Sequence, residues 1–139
     1  MDTRIKLSPP TALNSNATKQ PQPLPLVAVG AEVILGKSPA QGELAIPVEP
    51  TATTLFGPRG ACLVSETGAL WVSDTGHHRL LGWRNRPQQD GRPADWVIGQ
   101  PNFNSEGQNA KKTPGRATLS VPTGVCVCGE GLVVADAWN

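Results

Sequence analysis

Asp74, His77 and His78 lie together in the stretch SDTGHHRLLGW, residues 73 to 83. A carboxylate beside two imidazoles has the chemistry of a metal site or of a proton-transfer pair. The spacing argues against both. Adjacent side chains in a tight turn diverge, whereas a metal needs donors that converge on one point. A second chemical candidate is Cys126-Val127-Cys128, but one Cys-x-Cys supplies only half of a tetrahedral zinc site. A third is GAEVILGKS, residues 30 to 38, which approaches a phosphate-binding loop. It has one residue too many between its glycines. Its Val33-Ile34-Leu35 core suits a strand better than a loop of outward-pointing amides.

The elements that must position these residues are short. With 14 Pro and 15 Gly in 139 residues, the chain is broken too often for long helices. No window has the apolar spacing of an amphipathic helix, while runs rich in Val, Leu, Ile and Trp are bounded by turn residues. The fold class expected is therefore all-β. All six aromatic residues follow residue 50. Residues 1–26 are rich in Pro, Ser, Thr, Asn and Gln, with too little apolar surface to offset their ordering entropy, and are expected to form a disordered tail.

An internal repeat organises residues 27–139. AEVILGKSPAQ from Ala31 aligns with ADWVIGQPNFN from Ala94, and TLFGPRGACLV from Thr54 with TLSVPTGVCVC from Thr118. LWVSDTGH from Leu70 aligns with LVVADAWN from Leu132. Three blocks recur in one order at nearly one spacing, the mark of a repeat architecture. One copy accommodates four strands, at residues 60–64, 69–73, 79–83 and 95–99, and an additional strand is expected at residues 33–36. Short loops join the first three, so they pair as an antiparallel meander, and nearly continuous apolar residues call for cover on both faces. A repeating four-stranded unit is a propeller blade.

The stretch GPRGACLVSETGALWVSDTGHHRLLGW resembles the NHL-repeat signature, a Pro-x-Gly opening followed by an Asp-containing turn with His or Asn and then Arg. Pro58, Gly60, Asp74, His78 and Arg79 fall on that pattern, as do Thr75, Gly76 and His77; the second copy supplies Pro122, Gly124, Asp136 and Asn139. The resemblance implies four-stranded antiparallel blades of an incomplete β-propeller and a binding scaffold for protein or peptide. It assigns the histidines to a structural turn, with Asp74 accepting hydrogen bonds from turn amides and Arg79 bracing it. The matching positions of the second copy read Ala137-Trp138-Asn139, so metal binding would not repeat. Nothing in the pattern calls for a cofactor or for catalytic residues.

Two alternatives accompany the scaffold. Relatives resembling lyases or lactone hydrolases assemble a metal site from several blades. Others resemble RNA readers, and residues 79–116 hold seven basic residues against three acids, with Trp83 or Phe103 as base-stacking candidates. Cys126 repeats Cys62, which suggests a small buried apolar residue at one strand position. An odd count of three cysteines suits free thiols, and no apolar run is long enough to span a bilayer, so the default expectation is cytoplasmic, without membrane association. A closed propeller needs about four to eight blades. The chain is therefore expected to be part of a longer protein or to assemble from several copies, and its unpaired blade edges invite self-association.

Overall fold

Residues 70–83 explain the centre of the fold. Leu70-Trp71-Val72-Ser73-Asp74 and Arg79-Leu80-Leu81-Gly82-Trp83 are strongly apolar and are separated by one turn, so they pair as a hairpin whose second strand is buried throughout. In the computed structural model, which describes residues 30–37 and 48–139, this hairpin is the middle of a four-stranded antiparallel sheet. Its strands, in both chain and spatial order, are β1 (Gly60–Leu63), β2 (Leu70–Asp74), β3 (Arg79–Trp83) and β4 (Trp96–Ile98). A second, two-stranded antiparallel sheet holds β5 (Pro122–Cys128) and β6 (Gly131–Asp136). Ala31–Asn139 makes up one unit.

The pleat sends alternate residues to opposite sides. On one side of the first sheet, Val72, Leu81 and Trp83 form the core with Ala94. Leu35, Leu55, Leu70, Val97 and Phe103 pack against that core, so loop segments rather than a helix cover this face. The other side carries Ser73 and Leu80, both fully buried, and meets the second sheet. The approach is closest at Gly60, where an added Cβ would lie 2.8 Å from the Thr123 carbonyl oxygen and 2.9 Å from Gly124 Cα. That glycine is required by the distance between sheets. Burial on both sides is why the β3 sequence is apolar without alternation.

The two sheets repeat each other in detail. Gly60 pairs with Ser73 and Cys62 with Trp71; at the equivalent places Gly124 pairs with Ala135 and Cys126 with Val133. The residue before each proline has a positive φ, 58° at Gly57 and 62° at Val121. The Gly76 amide donates to the Phe56 carbonyl at 2.8 Å, and the Trp138 amide to the Ser120 carbonyl at 3.1 Å. The fold is all-β, with one complete four-stranded blade and a second that contributes two strands among the described residues.

Two expectations are corrected. Residues 33–36 form no strand, because no strand among the described residues pairs with them. Ile34 bonds instead to a loop, its amide donating to Asp90 Oδ1 at 2.7 Å and its carbonyl accepting from the Gly91 amide at 2.9 Å. Nor are the recurring cysteines buried: Cys62 is half-buried, while Cys126 and Cys128 are exposed. Cys126 lies on a side of the second sheet that no described residue covers, and Val133, its cross-strand neighbour, is 53% exposed. All three thiols are free. The tail expected at residues 1–26 lies outside the described residues. None of the described helices is long and apolar enough to cross a membrane.

Candidate functional site: the Asp74–His77–Arg79 turn

Asp74 ends β2, and Thr75–His77 makes a single 3-10 turn before β3 begins at Arg79. His78 closes the turn in left-handed geometry, at φ 56° and ψ 46°. Such geometry disfavours bulky residues but is several-fold enriched in His and Asn. Gly76 is fixed by crowding, since a Cβ there would meet the Phe56 ring and carbonyl oxygen.

Within this turn the charged groups are driven inward. Asp74, His77 and Arg79 are all fully buried. Asp74 Oδ1 accepts from the Phe56 amide at 2.6 Å, which ties the segment before β1 to the end of β2. Oδ2 accepts from His77 Nδ1 at 2.7 Å and Arg79 Nε at 2.8 Å. His77 Nε2 donates to the Val48 carbonyl at 2.6 Å. The remaining guanidinium nitrogens donate to the carbonyls of Phe103 at 2.6 Å and of Thr51 and Thr54 at 3.0 Å each. Arg79 thus gathers three separated segments around one planar cation, a geometry that a lysine cannot supply. Among the described residues Asp74 takes one backbone amide, and it belongs to Phe56, ahead of β1, rather than to the turn as expected from the sequence.

His78 points the other way, toward the second sheet. Its Nδ1 accepts from the Val121 amide at 3.0 Å, a bond that needs the unprotonated nitrogen. Burial holds this imidazole below its usual pKa, against the opposing pull of Asp136 and Glu106, with His77 adding to the lowering. Thr75 Oγ1 adds a 2.6 Å bond to the Pro122 carbonyl, and Gln100 Nε2 donates to the carbonyls of His77, His78 and Gly107. The two histidines therefore diverge. One serves the interior of the first sheet and the other the junction between sheets.

The remaining signature positions sit at the same junction. Pro122 is buried and its carbonyl receives Thr75, Gly124 faces Gly60, and Asp136 Oδ1 accepts from the Ser120 amide at 2.7 Å. Pro58 is exposed, two residues before β1. Asn139 Nδ2 donates to the Thr118 carbonyl at 3.3 Å.

The two rings put forward as stacking platforms are committed to the interior. Trp83 is 2% exposed, with its indole N–H donating to the Arg92 carbonyl at 2.9 Å, and Phe103 packs on the core. Their apolar surface is worth more against the sheet than in solvent. Among the exposed aromatics, Trp96 stacks on Trp71 with centroids 5.5 Å apart and carries the Arg84 guanidinium over its ring, also at 5.5 Å. Sequence reasoning missed this pair, although the cross-strand row Trp71–Gly82–Trp96 carries a signal: the glycine leaves room for the indole above it. Beside it, Arg84, Arg86 and Arg92 surround an open cavity of about 560 Å³. Two of these cations are paired, Arg86 with Glu32 at 2.8 Å and Arg92 with Asp95 at 3.2 Å.

Comparison with known proteins agrees with this geometry at one place. Residues 57–83, the stretch from the turn before β1 to the end of β3, match the NHL repeat family model. No curated protein and no solved structure matches the chain. Residues 57–83 are an NHL repeat, and the fold around it is all-β, that of an incomplete β-propeller.

Proposed function

We propose that this propeller-type scaffold binds protein or peptide, and that the signature residues Pro58, Gly60, Asp74, His78, Arg79, Pro122, Gly124 and Asp136 hold the blades rather than act on a ligand. The observation that carries this reading is the commitment of the chemically capable groups. Both ring nitrogens of His77, both carboxylate oxygens of Asp74 and every guanidinium nitrogen of Arg79 are engaged by backbone or by one another. The surface offers Trp96 with Arg84 over its ring, the β4 residue Ile98, and the exposed aromatics Phe56 and Trp138. Exposed aromatic and apolar groups beside arginine are the usual composition of protein-binding patches.

The test is selection of peptides on the immobilised full chain, with saturable affinities measured for the selected sequences, beside a pooled RNA and a panel of lactones. Peptide ligands with measurable affinity, no turnover and no salt-dependent RNA retention are expected. Salt-dependent retention of RNA without any selected peptide would overturn the proposal in favour of a nucleic-acid role.

A further inference from the structure

The loop that joins β3 to β4, residues 84–95, lies at the end of the complete blade opposite the Asp74 turn. It is largely exposed, yet it is held at many points. The Arg84 amide donates to Asp95 Oδ2 at 2.9 Å, the Asp95 amide to the Gly82 carbonyl at 2.8 Å, and the Ala94 amide to the Ala52 carbonyl at 2.8 Å. The Trp83 indole holds the Arg92 carbonyl, the Gly91 amide is tied to Ile34, and Pro87 is buried. A surface fixed in this way loses little freedom when something binds it.

The open cavity of about 560 Å³ in this loop is lined by Arg84, Arg86 and Arg92 against one carboxylate, Asp95. The amide side chains of Asn85, Gln88 and Gln89 make up most of the remaining wall. Two of the guanidiniums already take carboxylates. Glu32, from a segment outside the loop, meets Arg86 Nη2 at 2.8 Å, and Asp95 meets Arg92 Nη2 at 3.2 Å. The Arg86–Glu32 bridge is exposed on both sides, so it is weak and yields to a competing carboxylate. Arg84 lies over the Trp96 ring, and none of the described carboxylates pairs with it.

We propose that this loop is the docking site for an acidic segment of a partner polypeptide, whose carboxylates pair with Arg84 and with Arg86 in place of Glu32. Charge complementarity names the partner: three cations face one anion, and a planar guanidinium takes a carboxylate through two parallel bonds. A nucleic acid fits less well. Asp95 and Glu32 repel a continuous run of phosphates, and the rings of Trp83 and Phe103 lie in the interior, away from any base. The proposal rests on the binding-scaffold reading and gives it a place and a class of partner.

The probe is a labelled peptide of glutamates flanked by glycines, titrated against the full chain, beside the matching glutamine peptide and a single-stranded RNA of equal length. Saturable binding of the glutamate peptide is expected, and none of the glutamine peptide. Arg84→Gln and Arg86→Gln should each weaken it about tenfold, the loss of one hydrogen-bonded charge pair. Glu32→Gln should tighten it about two- to fivefold, because it releases Arg86. Arg116→Gln, which removes a positive charge outside the cavity, should leave it within about twofold. All four residues are exposed, and circular dichroism checks that each variant folds. If Arg116→Gln weakens binding as much as Arg86→Gln, the attraction is general and the site is overturned. Glu32→Gln without gain overturns the exchange at Arg86. RNA that binds more tightly than the peptide and weakens in the same arginine variants overturns the class of partner. Failure of the glutamate peptide while selected peptides still bind elsewhere overturns the site and leaves the scaffold reading intact, whereas failure of every peptide overturns that reading itself.

Discussion

Replacing Arg79 with methionine tests the energetic centre of the blade. Arg79 is fully buried, as is Asp74, whose Oδ2 it meets at 2.8 Å. Methionine fills much of the same volume but donates nothing. The change strips donors from Asp74 and from the carbonyls of Phe103, Thr51 and Thr54. Removing one member of a buried ion pair costs about 3–5 kcal/mol, because the other charge stays in a dry environment. His77 still serves Asp74 Oδ2, which keeps the loss within that range rather than above it. Against a typical domain stability of about 5–15 kcal/mol, that is a large share. Urea unfolding followed by tryptophan fluorescence reads it directly, since Trp83 lies in the core at the other end of the same strand. Arg86→Ala is the control: its bridge to Glu32 is exposed, 47% and 75% on the two sides, and its loss should cost about 0–1 kcal/mol. Arg79→Lys should fall close to the methionine variant, because an ammonium cannot reach three segments at once. If Arg79→Met unfolds within about 1 kcal/mol of the parent, the network does not hold the blade and the reasoning fails.

Three further outcomes follow from single sites. Val121 is β-branched at φ 62°, where its repeat equivalent is Gly57, so Val121→Gly should relieve about 1–2 kcal/mol of left-handed strain and leave a net stabilisation of roughly 1 kcal/mol or less after glycine's entropy; a raised urea midpoint is expected, and a fall of more than about 1 kcal/mol refutes it. His78 is held below its usual pKa, so the unfolded chain takes up its proton first: its contribution is complete above about pH 6.5 and is lost as pH falls through its lower folded value. The NMR titration midpoint of His78 should lie below 6.5, and His78→Asn should lessen the acid loss of stability; a midpoint above 6.5 contradicts the burial argument. Brief alkylation read by peptide mass mapping should modify Cys126 and Cys128 well before Cys62, and equal rates would mean that the second sheet is covered.

Much of the fold could be read from the sequence because its determinants are local. The turns at Glu66-Thr67-Gly68 and at residues 74–78 punctuate runs of apolar residues, and the four strands of the complete blade lie within a residue or two of where those runs place them. The failures share one cause. Residues 33–36 have the composition of a strand, yet strandness needs a partner, and pairing is a tertiary fact. Cys126 has the surroundings of a buried strand residue, but its exposure depends on what stacks over the second sheet. Trp83 and Trp96 differ by face rather than by residue type: Trp83 aligns with Leu70 on the core side, while Trp96 aligns with Gly82 on the opposite side. At the turn, residue types alone announced Asp74, His78 and Arg79 as a pattern; the Val48, Thr51 and Phe103 carbonyls that receive the buried His77 and Arg79 side chains carry no side-chain signal at all.

The two aspartates show how one residue type can connect three pieces of chain. The Oδ1 atoms of Asp74 and Asp136 each draw in the amide two residues before the blade's proline, at 2.6 Å and 2.7 Å. That bond ties the incoming segment to the end of the second strand. Oδ2 of Asp74 then takes the arginine that opens the third strand, so the carboxylate sits where incoming chain, hairpin and next strand meet. The His78–Val121 bond carries the connection onward, from the turn of one blade to the left-handed residue that begins the next. Each blade's geometry is thereby set partly by its predecessor, and damage at Arg79 should be felt in β5 as well as in β3. A double-mutant cycle between Arg79→Met and His78→Asn measures that directly: a coupling of at least about 0.5 kcal/mol is expected, and strict additivity would mean that the sheets are stabilised independently.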